Sequence, residues 1–295
     1  MIPGEFEEKE FEGPLNAELV NGTGIVWPPG QVLEGIVGFD AALFVSEVSH
    51  WIALGYPGPL PGGVMVSTWW SNSPAKTASQ LPDFKLNLFL QYKRVDLLES
   101  LGGPEGKYWK RPYYRYFITD HQQLALEACS KNLGSNGLVA YSAPAFAARV
   151  ELFRHILART VMQSTNFAKV TALTGHSKYT FVNPGLAGRA FSEPEDIPYA
   201  SIREALAAAP EISLEELLQR AASAAKAAVR EQPTIVGSAE VFDDALRVIE
   251  RLLRERIPTD AFDACWAYSI ASVFCWMARV GWLVVGTPSV EKPAR

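Results

Sequence analysis

The chain has 295 residues, of which 48% are hydrophobic and 20% charged, so it can bury a sizeable core as one large domain or two modest ones. Its formal net charge of −5 excludes a general attraction to nucleic acid, and any such binding needs a local basic patch. The acidic residues 1–12 contain no signal-peptide core, and three distant cysteines favour free thiols in a reducing cytoplasm. We therefore expect a cytoplasmic globular protein.

The N-terminal part of the chain predicts a helix, then a strand, then an insertion. Residues 5–20 carry acidic side chains in their early turns, and Asn21-Gly22 is suited to end a helix. Residues 35–45 have the composition of a strand, and Asp40 lies within it in the stretch Gly-Phe-Asp-Ala. Residues 56–82 are rich in Pro, Gly, Ser and Trp, which indicates a surface insertion rather than a domain boundary.

A second strand, residues 86–93, carries the clearest pattern in the sequence. Its apolar and polar side chains alternate with the period of a strand, which places Gln91 and Lys93 side by side on one face. The amide oxygen of Gln91 and the ammonium of Lys93 could meet Asp40 from another strand and hold a hydrated divalent cation against a phosphate. Glu18, on the first helix, could add a second carboxylate.

Basic and aromatic residues interleave in the segment that follows this strand. The cations are Lys107, Lys110, Arg111 and Arg115, with tyrosine and tryptophan between them. Cations neutralise phosphates and aromatic rings stack on bases, so the segment is a candidate nucleic-acid-binding surface. The alternative is an amphipathic segment whose aromatic side chains belong to the core and whose charges are solvated.

The middle of the chain continues with helix and strand patterns in turn. Residues 121–133 predict a helix, residues 137–146 a short buried strand, and residues 147–173 a long amphipathic helix. Gln122 and Gln123 open the first of these helices and could reach a substrate, although exposed helix glutamines usually make no specific contact. This order of elements is typical of an α/β fold.

The last third of the chain has a different character. Residues 181–198 are loop-rich, and this change predicts a domain boundary near residue 190, with an α/β domain in residues 1–190 and a helical domain in residues 191–295. The apolar residues 264–286 approach the length of a membrane span, but Arg279 within them and the lack of flanking anchors favour a buried core helix. The helical segments predicted here are residues 201–208, 213–231, 238–256 and 259–280.

The order of elements over residues 5–175 resembles that of the restriction-endonuclease-like (PD-(D/E)XK) nucleases. The first helix, with its glutamate, precedes the strand at residues 38–44 (GFDAALF), and the strand at residues 88–94 (LFLQYKR) follows. A helix and the strand at residues 138–146 (LVAYSAPAF) complete the match. The chain looks most like the Mrr-type members, in which glutamine replaces the second acidic residue of the motif.

This resemblance implies a restriction-endonuclease-like α/β/α core, to which the sequence adds a C-terminal all-helical domain. It implies that Asp40 and the Gln-x-Lys pair lie on adjacent strands, with Asp40 as the principal ligand of Mg²⁺ or Mn²⁺. Gln91 would be a weaker ligand, and Lys93 the cation that orients water or phosphate. Glu18 would be the acidic residue of the preceding helix. The alternatives to Glu18 within reach are Glu12 and Glu34.

The function implied is that of a metal-dependent endonuclease that hydrolyses phosphodiester bonds in DNA, in prokaryotic (anti-phage) defence. RNA stays open as a substrate, and the C-terminal helices would supply a homo-oligomer contact or a partner-protein site, without a membrane. Because Gln91 is neutral, the alternative is a catalytically weak or inactive nuclease-fold subunit that binds nucleic acid or a partner protein. In a purely structural interpretation, Asp40 ends a strand and Lys93 is a solvated edge residue.

Overall fold

The protein is described here by a computed structural model, which covers residues 1–22, 26–27, 83–185, 188–197, 201–232, 239–256 and 259–287. These residues form a mixed α/β fold with two sheets and seven helices. The α/β class predicted from the order of elements is therefore confirmed. Asp40, Glu34 and the insertion at residues 56–82 lie outside the described residues.

The elements follow one another as helices and short strands. The helices are α1 (Glu8–Gly22), α2 (Asp120–Leu133), α3 (Arg149–Ala158), α4 (Ile202–Ala208), α5 (Leu214–Glu231), α6 (Ala239–Arg256) and α7 (Thr259–Ala278). The strands are β1 (Ile2–Pro3), β2 (Val26–Trp27), β3 (Asp83–Tyr92), β4 (Asp96–Leu98), β5 (Tyr113–Phe117), β6 (Gly137–Pro144), β7 (Thr165–Lys169), β8 (Lys178–Phe181), β9 (Gly188–Phe191), β10 (Glu195–Ile197) and β11 (Gly281–Thr287).

Strand β3 is the central strand of a five-stranded sheet with the order β2-β11-β3-β6-β7. It pairs antiparallel with β11 and parallel with β6. The chain passes from β3 to β6 by way of α2, which is the kind of crossover that parallel strands require. The carboxyl ends of β3 and β6 therefore meet at one edge of the sheet, and Gln91 lies at that edge, opposite Tyr141.

The side chains of β3 alternate between two buried faces. The leucines of the strand, together with Tyr92, pack in a cluster with Phe11 and Leu15 of α1. Phe89 belongs to the cluster on the opposite face, which α5 and α7 cover. The alternation predicted for residues 86–93 is therefore confirmed, and it explains why this strand is fixed in register.

A second, six-stranded sheet has the order β1-β4-β5-β8-β9-β10, with every neighbouring pair antiparallel. Its strands are three to five residues long, apart from the two-residue β1. Residues 181–198 were predicted to be loop-rich, and the strands β9 and β10 within them were not predicted. Strands this short and this polar show too little alternation to be recognised in a sequence.

The region after residue 190 contains strands as well as helices. β11 is inserted into the middle of the five-stranded sheet, between β2 and β3, so the prediction of an all-helical C-terminal region is wrong. A central strand buried on both faces is continuously apolar, and its sequence therefore resembles the end of an apolar helix. α5 and α7 match the predicted helical segments and share a core cluster with α2. The domain boundary near residue 190 stays a prediction.

The predicted core helix in the apolar residues 264–286 is confirmed over α7. Ala267, Ile270 and Phe274 are among its fully buried side chains. None of the helices in the described ranges is long and apolar enough to cross a membrane.

The prediction of one long helix over residues 147–173 is wrong. The helix α3 ends at Ala158, where Arg159 takes a left-handed conformation with φ 55°. The chain then forms β7, which pairs with β6 at the edge of the sheet. Apolar residues at helical spacing continue past Arg159, and no glycine marks the break, so the pattern alone predicts one helix.

Candidate functional site

A cleft of about 860 Å³ opens at the carboxyl end of β3. One wall is α1, another is the first turn of α2, and the third is the turn that joins α7 to β11. Gln91 and Tyr92, the last two residues of β3, also line the cleft. Ligands of α/β proteins bind preferentially outside the carboxyl ends of parallel strands, so this cleft lies where a binding site is expected.

Gln122 brings the two residues of the predicted Gln-x-Lys pair together. Its Nε2 donates to Oε1 of Gln91 at 2.7 Å, and its Oε1 accepts from Nζ of Lys93 at 3.2 Å. The same Nε2 donates to the carbonyl oxygen of Ala278 at 2.9 Å. One amide group of α2 thus fixes the end of β3, the end of α7 and the lysine relative to one another.

Lys93 is buried, with 8% of its surface exposed. Burial lowers the pKa of its ammonium group, and the attraction of Glu8 offsets part of this effect. Its Nζ lies 5.4 Å from the centre of the Tyr141 ring, and it forms no ion pair with a carboxylate of the described residues. The interpretation of Lys93 as a solvated edge residue is therefore wrong: it is a buried cation that lacks a paired anion within the described part of the chain.

The carboxylates of the cleft come from α1. Glu8 and Glu12 lie one helical turn apart and both line the cleft with Gln91. The carboxylate of Glu12 is 16% exposed and lies 3.3 Å from the ammonium of Lys9. Glu12 was an alternative candidate in the sequence, and the structure places it on the wall of the cleft that Gln91 also lines.

Glu18 is engaged elsewhere on α1. Its two carboxylate oxygens accept from the backbone N–H groups of Val161 and Met162, each at 2.9 Å. These N–H groups open the short 3-10 helix Met162–Ser164, so Glu18 caps that turn. It is not among the described residues that line the cleft.

The strands beside β3 are β11 on one side and β6 on the other. The resemblance implied that the strand of Asp40 is adjacent to β3, and within the described residues the two strands paired with β3 are β11 and β6. β11 pairs with β3 as far as Leu90, opposite Gly281, and leaves Gln91 beyond its last paired residue. Asp40 itself lies outside the described residues.

The cleft offers the oxygen donors that Mg²⁺ and Mn²⁺ prefer. They are the carboxylates of Glu8 and Glu12 and the amide oxygen of Gln91, which keeps a second lone pair beside its bond to Gln122. The described residues contain no group of three or more His, Cys, Asp or Glu side chains that could hold a metal ion. The donor types therefore fit a divalent cation, and Asp40 would have to complete its ligands.

The basic segment divides into exposed and paired cations. Lys107, Lys110 and Arg111 are exposed, and they lie around the short 3-10 helix Gly106–Tyr108 and the start of β5. The ammonium of Lys107 lies over the ring of Tyr108, 4.9 Å from its centre. These three residues stay candidates for contact with phosphate groups.

Arg115 has a different environment from the other three cations. Its guanidinium lies 3.5 Å from the carboxylate of Asp96 and 3.8 Å from that of Glu105, which also binds Lys178 at 2.8 Å. Glu105 is only 3% exposed, so Arg115 balances a buried charge within the second sheet. The aromatic residues Tyr113 and Tyr116 of this segment are buried in the core.

Gln122 was noted in the sequence as able to reach a substrate, but its role in joining Gln91 and Lys93 was not predicted. It opens a helix, where glutamine is common and carries no positional signal, and its three partners come from β3, the residue just after it and α7. The contact with Ala278 exists only when α7 is packed beside the strand.

The chain matches no protein-family model, no curated protein and no solved structure.

Proposed function

We propose that this protein is a metal-dependent nuclease that hydrolyses phosphodiester bonds in DNA, as a restriction-endonuclease-like enzyme of prokaryotic defence. The observation that carries the proposal is the convergence of Gln91 and Lys93 on Gln122, beside a cleft that Gln91, Gln122, Glu8 and Glu12 line. Lys93 is buried next to the cleft through its bond to Gln122 and is not among the described residues that line it. A neutral oxygen donor, a buried cation without a paired anion among the described residues, and two carboxylates are groups that metal-assisted phosphodiester hydrolysis can use.

Hydrolysis of a phosphodiester requires an activated water molecule and a way to disperse negative charge on phosphorus. A bound Mg²⁺ or Mn²⁺ supplies both. Gln91, one carboxylate of α1 and Asp40 would hold the ion, and Gln122 keeps the amide of Gln91 turned so that its oxygen is fixed.

Lys93 would bind the phosphate group of the substrate. Burial disfavours its ammonium in the free protein, since no carboxylate of the described residues is paired with it. A phosphate oxygen of the substrate would provide the missing anion. Part of the binding free energy would then come from pairing this oxygen with the buried ammonium of Lys93. Gln122 accepts from the same ammonium and fixes its direction.

A second candidate function is binding of nucleic acid without cleavage. It is favoured by the neutral amide of Gln91, which is a weaker ligand than the carboxylate expected at this position of the motif and already bonds Gln122. In this case the same cleft binds the phosphate backbone, and the protein acts through a partner.

One experiment separates the two functions. Binding of a short fluorescein-labelled DNA duplex is followed by anisotropy, and cleavage of the same duplex is followed on a denaturing gel in Mg²⁺, Mn²⁺ and EDTA. The variants are Lys93→Met and the exposed control Lys131→Met. Cleavage in metal that Lys93→Met loses and Lys131→Met keeps supports the nuclease. Binding without cleavage in either metal supports the second function, and absence of both overturns the proposal.

A further inference from the structure

Arg279 ends helix α7 with a backbone conformation that arginine rarely adopts. Its φ is 55°, in the left-handed region, and the turn is closed by bonds from Arg279 N–H to the carbonyl of Trp276 at 3.3 Å and from Val280 N–H to that of Cys275 at 2.9 Å. Glycine or asparagine usually fills such a position, because a Cβ atom is disfavoured there. An unfavourable backbone conformation that persists at a cleft is a reason to look for a function.

The cleft places Arg279 beside the residues of the proposed nuclease site. Arg279 lines the same cleft as Gln91 and Gln122. The carbonyl of Ala278, the residue immediately before it, accepts from Nε2 of Gln122, the atom that also donates to Gln91. The backbone just before Arg279 is therefore held by the same amide group that holds the Gln-x-Lys pair.

The charges of the cleft leave Arg279 without a paired anion in the described part of the chain. Across the cleft, Glu7 pairs with Arg94 at 3.1 Å and Glu12 with Lys9 at 3.3 Å. Arg279 is exposed and forms no ion pair with any carboxylate of the described residues, although acidic residues line the opposite wall. An unpaired guanidinium with a planar fork of donors is suited to bind a phosphate group.

We infer that Arg279 is a substrate-binding residue, which holds a backbone phosphate of the nucleic acid in the cleft that Gln91 and Gln122 line. This inference rests on the proposed function. It assigns part of the substrate site to the C-terminal region, outside the segment in which the resemblance to nucleases lies. Glycine would relieve the unfavourable conformation, but it has no side-chain cation with which to bind a phosphate group.

The chain supplies a matched control for this inference. Arg159 ends α3 with the same φ of 55°, and its N–H closes that helix in the same way, onto the carbonyls of His155 and Ile156. Arg159 is not among the described residues that line the cleft. Replacing either arginine by glycine removes one positive charge and one unfavourable backbone conformation, but only one of the two changes touches the cleft.

The experiment compares Arg279→Gly and Arg159→Gly in the full chain, with Arg279→Asn as a second variant that tolerates the left-handed conformation. We expect Tm to rise by a few degrees in both glycine variants. Kd for a short fluorescein-labelled duplex, measured in EDTA, should rise about tenfold in both Arg279 variants and stay unchanged in Arg159→Gly. The slope of log Kd against log salt should fall by about one only when Arg279 is replaced.

Two results would overturn the inference. The first leaves the proposed function standing, and the second overturns the proposed function as well. If the wild type binds the duplex and the Arg279 variants bind it equally well with the same salt slope, Arg279 is not a substrate residue and the proposed function stands. If the wild type binds no duplex and cleaves none in metal, the inference and the proposed function fail together.

Discussion

The side-chain nitrogen of Gln122 donates to Oε1 of Gln91 at 2.7 Å, and this bond joins the start of α2 to the end of β3. Because the oxygen of Gln122 also accepts from Lys93, one amide orients both members of the pair. A glutamine that is neutral and mobile would be a poor ligand, and the bond to Gln122 removes its freedom to rotate. Gln122 is therefore the positioning residue of the site.

Replacing Gln122 should reduce cleavage more than it reduces stability. In Gln122→Leu the amide of Gln91 and the ammonium of Lys93 lose their common partner, and we expect the cleavage rate to fall about 10–100-fold, the usual effect of removing a group that orients a ligand. Asn132→Ala, which removes a side-chain bond to Ala128 farther along α2, is the control and should keep the rate.

The variant Gln122→Glu tests whether Gln122 positions Gln91 and Lys93 or only stabilises the fold. A carboxylate here would pair with Lys93, raise the pKa of its ammonium and leave the oxygen of Gln91 without its donor. We expect the pH–rate profile to shift in this variant, whereas a purely structural role for Gln122 predicts an unchanged profile with lower Tm.

Lys93→Met should stabilise the fold at neutral pH while it abolishes cleavage. Burial lowers the pKa of Lys93 below its ordinary value of 10.5, so between the lowered pKa and 10.5 the unfolded chain binds more protons than the native one. The stability of the wild type therefore rises with pH across this window. Lys93→Met lacks this group. Its free energy of unfolding should exceed that of the wild type by about 1 kcal/mol near pH 7, and this difference should shrink as the pH approaches 10.5.

Urea unfolding of wild type, Lys93→Met and the exposed control Lys131→Met at several pH values measures this effect. A difference between wild type and Lys93→Met that does not change with pH would show that the buried ammonium costs nothing in the native state.

Glu12 and Glu18 should respond in opposite ways to loss of their charge. Glu18→Gln weakens the cap on Val161 and Met162, and we expect it to lower the free energy of unfolding by about 1 kcal/mol without changing the cleavage rate of the folded protein. In Glu12→Gln, loss of the ion pair with the exposed ammonium of Lys9 should itself lower the free energy of unfolding by less than about 1 kcal/mol. This variant should instead raise the Mg²⁺ concentration that cleavage requires.

The comparison needs chemical unfolding and a Mg²⁺ titration on both variants. The opposite pattern, with activity lost in Glu18→Gln and kept in Glu12→Gln, would return the role of second carboxylate to Glu18.

The basic segment should also divide into two classes. Neutralising Lys107, Lys110 and Arg111 together should weaken DNA binding and lower the salt slope by about one for each phosphate group that the protein no longer binds. Arg115→Gln should instead reduce the free energy of unfolding by about 1–3 kcal/mol, because it removes a partner from the buried Glu105. Equal reductions of binding in Arg115→Gln and in the triple variant, at unchanged stability, would contradict this division.

Local patterns predicted those parts of the fold whose hydrophobic period is regular. The alternating pattern of β3 fits only a strand, and the apolar stripe of α5 fits only a helix. Both elements were predicted correctly. β11 was missed because a strand buried on both faces is uniformly apolar, and the end of α3 was missed because an arginine, Arg159, takes the left-handed position.

The candidate site could be predicted only in part for the same physical reason. Gln91 and Lys93 share a face by strand parity, which is a local property, and the structure brings them to one partner. Gln122 and Arg279 enter the cleft through the packing of α2 and α7 against the sheet, and residue type at those positions gives no signal of it. Glu18 was assigned by the resemblance, while its carboxylate caps another turn.

The measurement that tests the central claim most directly is a Mg²⁺ titration of plasmid nicking by the wild type, Gln91→Glu and Asp40→Asn. If Gln91 is a metal ligand, the carboxylate of Gln91→Glu should lower the Mg²⁺ concentration for half-maximal nicking about tenfold, since a charged oxygen binds the ion more tightly. Asp40→Asn should abolish nicking at every concentration. Nicking that does not depend on Mg²⁺, or that is the same in all three proteins, would contradict the account.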